Sequence, residues 1–174
     1  VKDSIIESKC IRTGTFKLKS GATTSKYIDL SRLLSSPSDL YLVMTHVADI
    51  ILTLNKTDKL ATVALKGAIL LPVVTIVSGK TSVIIRQTEK INGIKEIIIG
   101  GEIKKGDKVI MFDDVLTKGK SLLKGINLIK KKKGIVTDII VVVDREEGGK
   151  AMLEKKGYKV HSLITLTELE NKQW

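Results

Sequence analysis

The sequence contains very little cysteine and histidine. Its 174 residues include one cysteine, Cys10, and two histidines, His46 and His161. A single cysteine excludes an internal disulfide framework and any zinc site built from several thiolates, and it favours a reducing compartment. Two histidines leave little material for a histidine-based metal site. The sequence therefore predicts no metal centre built from protein side chains alone.

Long apolar runs and a secretory leader are also missing. No apolar run approaches the roughly 20 residues that a membrane-spanning helix needs. The N-terminal residues lack the order of basic, apolar and small residues that marks a signal peptide. These absences predict a soluble, cytoplasmic protein that has no membrane partner.

The charge is strongly biased toward one sign, with 30 Lys and Arg against 19 Asp and Glu and a formal charge of +11. Such an excess suits nucleic acid, an anionic membrane or small anionic ligands. Proteins that bind single-stranded nucleic acid usually add aromatic stacking platforms, but the 3 Tyr, 2 Phe and 1 Trp form no stripe. The basic run at 130–133 is interpreted as the solvated end of a helix, with a polyanion-binding patch as the alternative. Nucleic acid is therefore not the favoured partner.

The length of the chain favours one domain over residues 1–174. The N-terminal residues predict a short helix that ends at Gly14, and Phe16 begins a strand that enters a loop. Ser36 as N-cap and Pro37 at the first helical position predict the start of a longer helix. The apolar residues that follow have helical spacing and predict one buried stripe, made of Leu40, Val43, Met44, Val47, Ile50, Ile51 and Leu54.

Short apolar runs alternate with helical patterns through the rest of the chain. Strands are predicted at 60–65, 82–85, 108–112, 138–144 and 160–166, and 97–99 is a further short apolar run that ends at two glycines. Helices are predicted at 122–129, at 146–156 with Gly157 as C-cap, and in the tail. This pattern predicts an α/β fold with a central, mostly parallel sheet flanked by helices. Ligands of such sheets bind beyond the carboxyl ends of the strands.

One stretch after a central strand combines acidic, hydroxyl and glycine residues. Its members are Asp113, Asp114, Thr117, Gly119, Lys120 and Ser121. The last four can hold a phosphate monoester with hydroxyls and with the free N–H groups of a helix start. The acid pair repels phosphate but can accept hydrogen bonds from ribose hydroxyls, so the stretch predicts a ribose 5-phosphate site, with a solvated loop as the alternative. A Walker P-loop is excluded, because Asp114 stands where that motif needs its first glycine.

Three segments of the chain resemble one known family. VIMFDDVLTKGKS resembles the phosphoribosyl pyrophosphate (PRPP) signature of the type I phosphoribosyltransferases. TGTFKLKSGATTSKYIDL and VVVDREEGGKAMLEKKGYKVHSLITLTEL resemble the opening and the C-terminal signature of the orotate phosphoribosyltransferases. The resemblance runs from about Gly14 to Leu169. It implies that Mg²⁺-bound PRPP reacts with orotate to give orotidine 5′-monophosphate and pyrophosphate in pyrimidine (UMP) biosynthesis.

The resemblance also implies roles for individual residues on the substrate side. The acid pair and the phosphate loop match the family's ribose and 5′-phosphate site, with Asp114 assigned to catalysis. Lys19 matches a lysine that faces the ligands. Tyr27 and Ile28 match an aromatic pair at the orotate ring, the second ring being replaced here by an aliphatic side chain. Arg145 matches the arginine that faces orotate, where a guanidinium can form paired hydrogen bonds with a carboxylate.

Further matches concern the leaving group and the assembly. Lys66 and the glycine after it match the pyrophosphate loop. Arg86 and Lys90 match the start of a lid at about 86–98 that closes over the neighbouring subunit's site, and Lys90 is assigned to catalysis. The resemblance thus implies a homodimer that shares its lids, an N-terminal hood at about 1–35, and Mg²⁺ bound mainly through PRPP.

Some positions depart from the family pattern. Gln87 replaces a common lysine, Asn92 stands where a histidine is expected, and Lys118 replaces a small residue of the phosphate loop and is expected to point outward. Two alternatives therefore stay open beside orotate transfer. One is a phosphoribosyltransferase for a purine or another base, and the other is a non-catalytic regulator that binds PRPP.

Overall fold

A computed structural model describes residues 1–17, 23–54, 57–86 and 97–171 of the chain. The helices are α1 (Lys2–Glu7), α2 (Pro37–Thr53), α3 (Lys66–Ser78), α4 (Lys120–Lys131), α5 (Gly149–Glu154) and α6 (Leu166–Glu170), with a 3₁₀ helix at Leu30–Ser35. The strands are β1 (Ile11–Lys17), β2 (Thr23–Ile28), β3 (Lys59–Val63), β4 (Thr81–Ile85), β5 (Ile98–Ile99), β6 (Lys108–Leu116), β7 (Ile135–Asp144) and β8 (Lys159–Thr165).

Within the described residues, the central sheet has six strands in the order β5-β4-β3-β6-β7-β8. Its neighbouring strands are parallel except for the short edge strand β5, which runs antiparallel to β4. The predicted mostly parallel sheet is therefore confirmed. Most residues of β6 and β7 are buried, because helices cover both faces of such a sheet.

Alternate side chains of β6 enter two separate cores. Ile110 and Phe112 of β6 pack on the face covered by α2 and α3, whereas Val109 and Met111 pack on the face covered by α4. The buried residues of α2 are Val43, Met44, Val47, Ala48 and Ile51, so the predicted apolar stripe is confirmed. None of the helices within the described ranges has the length and apolar character that a membrane crossing requires.

A separate two-stranded sheet precedes the central one. Strands β1 and β2 form an antiparallel hairpin in which Ile11 pairs with Ile28. The prediction of a helix that ends at Gly14 is wrong, because α1 ends at Glu7 and Gly14 lies inside β1. The pairing with β2 commits this segment to strand, and local signals do not show that pairing.

Two predicted boundaries near the carboxyl edge also differ. Strand β6 does not end before the acid pair but continues to Leu116, because its pairing with β7 continues as far as Asp144. Helix α5 begins at Gly149 and not at Glu146. Glu146 (φ 58°) and Gly148 (φ 84°) have left-handed backbone, which cannot belong to a right-handed helix.

Candidate active site

Three segments that carry predicted site residues meet at one edge of the sheet. They follow or end the parallel strands β3, β6 and β7, which are neighbours in the sheet. Carboxyl ends of parallel strands share one edge, so residues that are distant in sequence come together there. The segments are the start of α3, the acid pair with the phosphate loop, and Arg145.

The acid pair is buried at the end of β6. Burial raises the pKa of Asp113 well above its ordinary value, and the neighbouring Asp114 charge raises it further. Burial also raises the pKa of Asp114, although Asp113 and the Lys66 ammonium partly offset that effect. The Asp114 backbone N–H donates to Asp113 Oδ1 at 3.0 Å. Carboxylates removed from water in this way favour a ligand that brings hydrogen-bond donors.

The phosphate loop leads directly into the N-terminus of α4. Gly119 is the N-cap residue, has a left-handed φ of 67°, and as a glycine has no side chain with which to cap the helix. The first turn of a helix leaves its N–H groups without intrahelical acceptors, and the helix dipole makes this end positive. Lys118 is exposed, as predicted. The loop therefore offers backbone donors to an anion.

The turn that leads into α5 also contains glycine, and it packs against the phosphate loop. A Cβ at Gly149 would lie 2.1 Å from the Thr117 carbonyl oxygen, and one at Gly119 would lie 3.0 Å from Met152 Cε. The start of α5 and the loop can approach this closely only because Gly149 lacks a side chain, and the loop has further room because Gly119 lacks one too. The DREEGG segment thus supports the phosphate loop by packing directly against it.

The start of α3 brings a lysine and a glycine to the acid pair. A Cβ at Gly67 would lie 2.3 Å from Thr62 Oγ1 and 3.0 Å from Asp113 Oδ1. Lys66 Nζ lies 2.6 Å from Asp29 Oδ1 and 5.5 Å from the centroid of the Tyr27 ring. These contacts of Lys66 with Asp29 and Tyr27 hold the N-terminal hairpin against the edge of the sheet.

Arg145 closes the site at the end of β7. Its backbone N–H donates to the Leu116 carbonyl oxygen at 2.9 Å, which holds it beside the phosphate loop. Its guanidinium is buried and lies 3.0 Å from Glu147 Oε1. Nη2 also donates to the Lys26 carbonyl oxygen at 3.5 Å, so this cation likewise faces the hairpin.

Tyr27 and Ile28 lie on opposite faces of β2, as strand alternation requires. The Tyr27 ring contacts Lys66 and lies 5.4 Å from the Phe16 ring. Ile28 is only 5% exposed and packs in the core with α2 and α3. The structure therefore brings Tyr27 to the site but places Ile28 beneath the hairpin, away from the Tyr27 face.

Comparison with known proteins agrees with this geometry. No protein-family model matches the chain. An orotate phosphoribosyltransferase of Methanocaldococcus jannaschii is 38% identical over 167 residues, which cover 96% of this chain and 93% of that protein. The chain belongs to the orotate phosphoribosyltransferase family.

Solved structures of orotate phosphoribosyltransferases and a related enzyme share the fold. The Aeropyrum pernix orotate phosphoribosyltransferase superposes with a TM-score of 0.81 at 26% identity, over 97% of this chain and 94% of that one. The UMP synthase of Leishmania donovani superposes with a TM-score of 0.84 at 30% identity, over 97% of this chain but 36% of that longer chain. These relatives confirm the predicted family, fold class, enzyme class and main function in pyrimidine biosynthesis.

Several residues predicted for the orotate phosphoribosyltransferase site cannot be placed. Lys19, Lys90, Gln87 and Asn92 lie outside the described residues. Arg86 is exposed just beyond β4, and its backbone N–H donates to the Ile97 carbonyl oxygen at 2.8 Å. The described part of the predicted lid is thus limited to its two ends.

The structure adds two acidic residues that sequence reasoning left without a role. Asp29 pairs with Lys66, and Glu147 pairs with Arg145. Both stand inside the quoted family segments, so the motifs contained them. Their partners could not be found from the sequence, because each acid lies next to a cation of the site only after folding.

Proposed function

We propose that this enzyme transfers the 5-phosphoribosyl group of PRPP to orotate, which gives orotidine 5′-monophosphate and pyrophosphate. The observation that supports this most is the buried acid pair beside a helix N-terminus whose N-cap is a glycine, with a lysine and an arginine on either side. The acid pair matches the ribose hydroxyls, and the helix N-terminus matches the 5′-phosphate. The lysine matches the pyrophosphate, and the arginine matches the orotate carboxylate.

The ribose 5-phosphate is proposed to bind between β6 and α4. Asp113 and Asp114 accept hydrogen bonds from the two ribose hydroxyls, which relieves the cost of holding carboxylates away from water. The backbone N–H groups of Gly119, Lys120 and Ser121, with the Thr117 and Ser121 hydroxyls, bind the 5′-phosphate.

Orotate is proposed to bind between the hairpin and the end of β7. The Arg145 guanidinium meets the carboxylate with charge-assisted hydrogen bonds, and the Tyr27 ring packs on the pyrimidine. Glu147 and the Lys26 carbonyl oxygen already contact the guanidinium and set its orientation. A buried arginine held in this way needs little reorganisation when an anion arrives.

The leaving pyrophosphate is proposed to interact with Lys66, Arg86 and Lys90. Breaking the C1–O bond builds positive charge on the ribose and negative charge on pyrophosphate, so fixed cations stabilise the transition state. The acid pair suits Mg²⁺ that arrives with PRPP, because this ion is usually held by one or two carboxylates together with substrate phosphates. When bound, the ion would neutralise charge on the phosphate oxygens.

We also propose a cytoplasmic homodimer of single-domain subunits, with a hood at about 1–35 and lids at about 86–98 that close over the partner's site. An exposed apolar stripe on and before α3 supports an interface. Leu65 is 69% exposed and Ile76 is 81% exposed, with exposed Pro72 between them. Closure of a lid would keep water from the ribosyl cation.

The deciding experiment follows the loss of orotate's ultraviolet absorbance with PRPP and Mg²⁺. We expect turnover with orotate and none with adenine, hypoxanthine or guanine. Turnover of a purine base alone would move the assignment to another phosphoribosyltransferase. Binding of PRPP in calorimetry without product from any base would favour the non-catalytic regulator.

Two variants test the proposed residues and the shared site. Asp114→Ala should weaken PRPP binding by about tenfold or more, since it removes a hydrogen bond to a charged group. Lys90→Ala should lower kcat more than it changes substrate binding. A mixture of the two variants should be more active than either variant alone if each site combines residues of two subunits, and no recovery would contradict the shared lid.

A further inference from the structure

The contact between Asp29 and Lys66 joins two parts of the site that are distant in sequence. Asp29 directly follows β2, and Lys66 is the first residue of α3. Their side chains meet at 2.6 Å, with 18% of the Asp29 and 41% of the Lys66 side chain exposed. The pair therefore bridges the hairpin and the proposed pyrophosphate loop at the mouth of the site.

Asp29 is the fixed partner of this pair. Its backbone N–H donates to the carbonyl oxygen of buried Cys10 at 2.8 Å. Its Oδ1 also accepts a hydrogen bond from Ser31 Oγ at 2.6 Å. Lys66 has a long side chain with four rotatable bonds, so its ammonium takes its position from the carboxylate and not the reverse.

The Lys66 ammonium faces three groups of the site at once. It contacts Asp29, lies over the Tyr27 ring, and acts electrostatically on Asp114. Burial alone would lower the pKa of Lys66, but the bonds to Asp29 and Tyr27 outweigh burial and raise it. An ammonium has three N–H donors, so one donor remains for a bound anion.

We propose that Asp29 is a positioning residue that holds the Lys66 ammonium between the Tyr27 ring and the acid pair before substrate binds. This inference rests on the proposed function, in which Lys66 binds the pyrophosphate of PRPP. A cation that is already in place loses less rotamer freedom when the substrate arrives. The same contact links the orotate side of the site to the PRPP side.

The kinetic test is a double-mutant cycle of Asp29→Asn and Lys66→Ala. Asp29→Asn should lower kcat/KM for PRPP by about fivefold, the upper end of what an exposed ion pair contributes. In the Lys66→Ala background the same change should have no further effect, because the residue acts through the lysine. Equal losses in both backgrounds, or no loss in either, would overturn the proposal.

A matched control removes another ion pair of the same hairpin. Lys26 Nζ lies 2.5 Å from Glu170 Oε1, so Glu170→Gln breaks a contact between the hairpin and α6. We expect this variant to keep the wild-type kcat/KM. A loss equal to that of Asp29→Asn would assign the effect to a loosened hairpin and overturn the positioning role.

A second readout does not depend on activity. Acetic anhydride acetylates the neutral form of lysine, and mass spectrometry measures the rate at Lys66 alone. Asp29→Asn should speed this acetylation, whereas Glu170→Gln should not, and an unchanged rate would show that the pair does not form. If the wild type fails to convert orotate, the proposed function fails, but the acetylation still decides whether Asp29 holds Lys66.

Discussion

Replacing Gly67 by alanine tests whether close packing behind the pyrophosphate loop shapes the site. The new Cβ would lie 2.3 Å from Thr62 Oγ1, 3.0 Å from Asp113 Oδ1 and 3.3 Å from Asp113 Cα. Overpacking of this kind costs about 1–3 kcal/mol. Alanine is also the better helix former, by about 1 kcal/mol, which opposes that cost. We therefore expect Gly67→Ala to lower the free energy of unfolding by up to about 2 kcal/mol.

A second substitution should relieve most of that loss. Thr62 is fully buried, and its hydroxyl has no hydrogen-bond partner within the described part of the chain. Thr62→Ala removes the atom that the new methyl group would strike without breaking a hydrogen bond. The double variant should therefore be more stable than the sum of the two single losses predicts.

The assay is urea unfolding of the four proteins of this cycle, together with PRPP titration by calorimetry. Gly67→Ala should also weaken PRPP binding, because the methyl group displaces Asp113. Ala68→Gly, at the next position of α3, measures the local cost of glycine in the helix and serves as the control. Additive losses in the cycle, or unchanged stability and binding in Gly67→Ala, would refute the steric reasoning.

Three further predictions concern the phosphate loop, the ion pair and the lone thiol. Gly149→Ala should weaken PRPP binding in calorimetry, because its Cβ would lie 2.1 Å from the Thr117 carbonyl oxygen; unchanged affinity would contradict the close approach. Burial acts to raise the pKa of Asp29, but hydrogen bonds from Lys66 and Ser31 outweigh it and lower the pKa below 3.8. The stability lost in Asp29→Asn, about 1 kcal/mol at most for so exposed a pair, should thus be constant above that pH and vanish as the pH falls through the lowered pKa; a loss that persists in acid would contradict the assignment. Burial and the Asp29 charge raise the pKa of the Cys10 thiol to about 11, so Ellman's reagent at pH 8 should label it only after unfolding, and rapid labelling of the native protein would contradict its burial.

Local patterns were sufficient for most of the fold. The helical spacing that begins after Pro37 shows which face of α2 is buried, and the Val and Ile runs show that β6 and β7 are buried on both faces. Both elements can be predicted because the spacing of apolar residues along the chain follows directly from burial. The ends of strands and helices that depend on pairing with a distant strand are harder to predict from the sequence. Local signals place a helix end at Gly14, because the strand that pairs with this segment is distant in sequence, and they end β6 at residue 112, because acidic residues rarely lie in a buried strand.

The candidate site likewise has parts that the sequence predicts and parts that it does not. Consecutive residues sufficed for the acid pair and the phosphate loop, since both lie in one short stretch that folds into a strand end and a helix start. Tertiary structure alone decided that Asp29 meets Lys66 across 37 positions of the chain, that Ile28 is buried under Tyr27, and that Gly149 supports the phosphate loop. The physical reason is the distance along the sequence. A motif consists of residues that are close together in the chain, whereas these contacts form only when separate segments pack against one edge of the sheet.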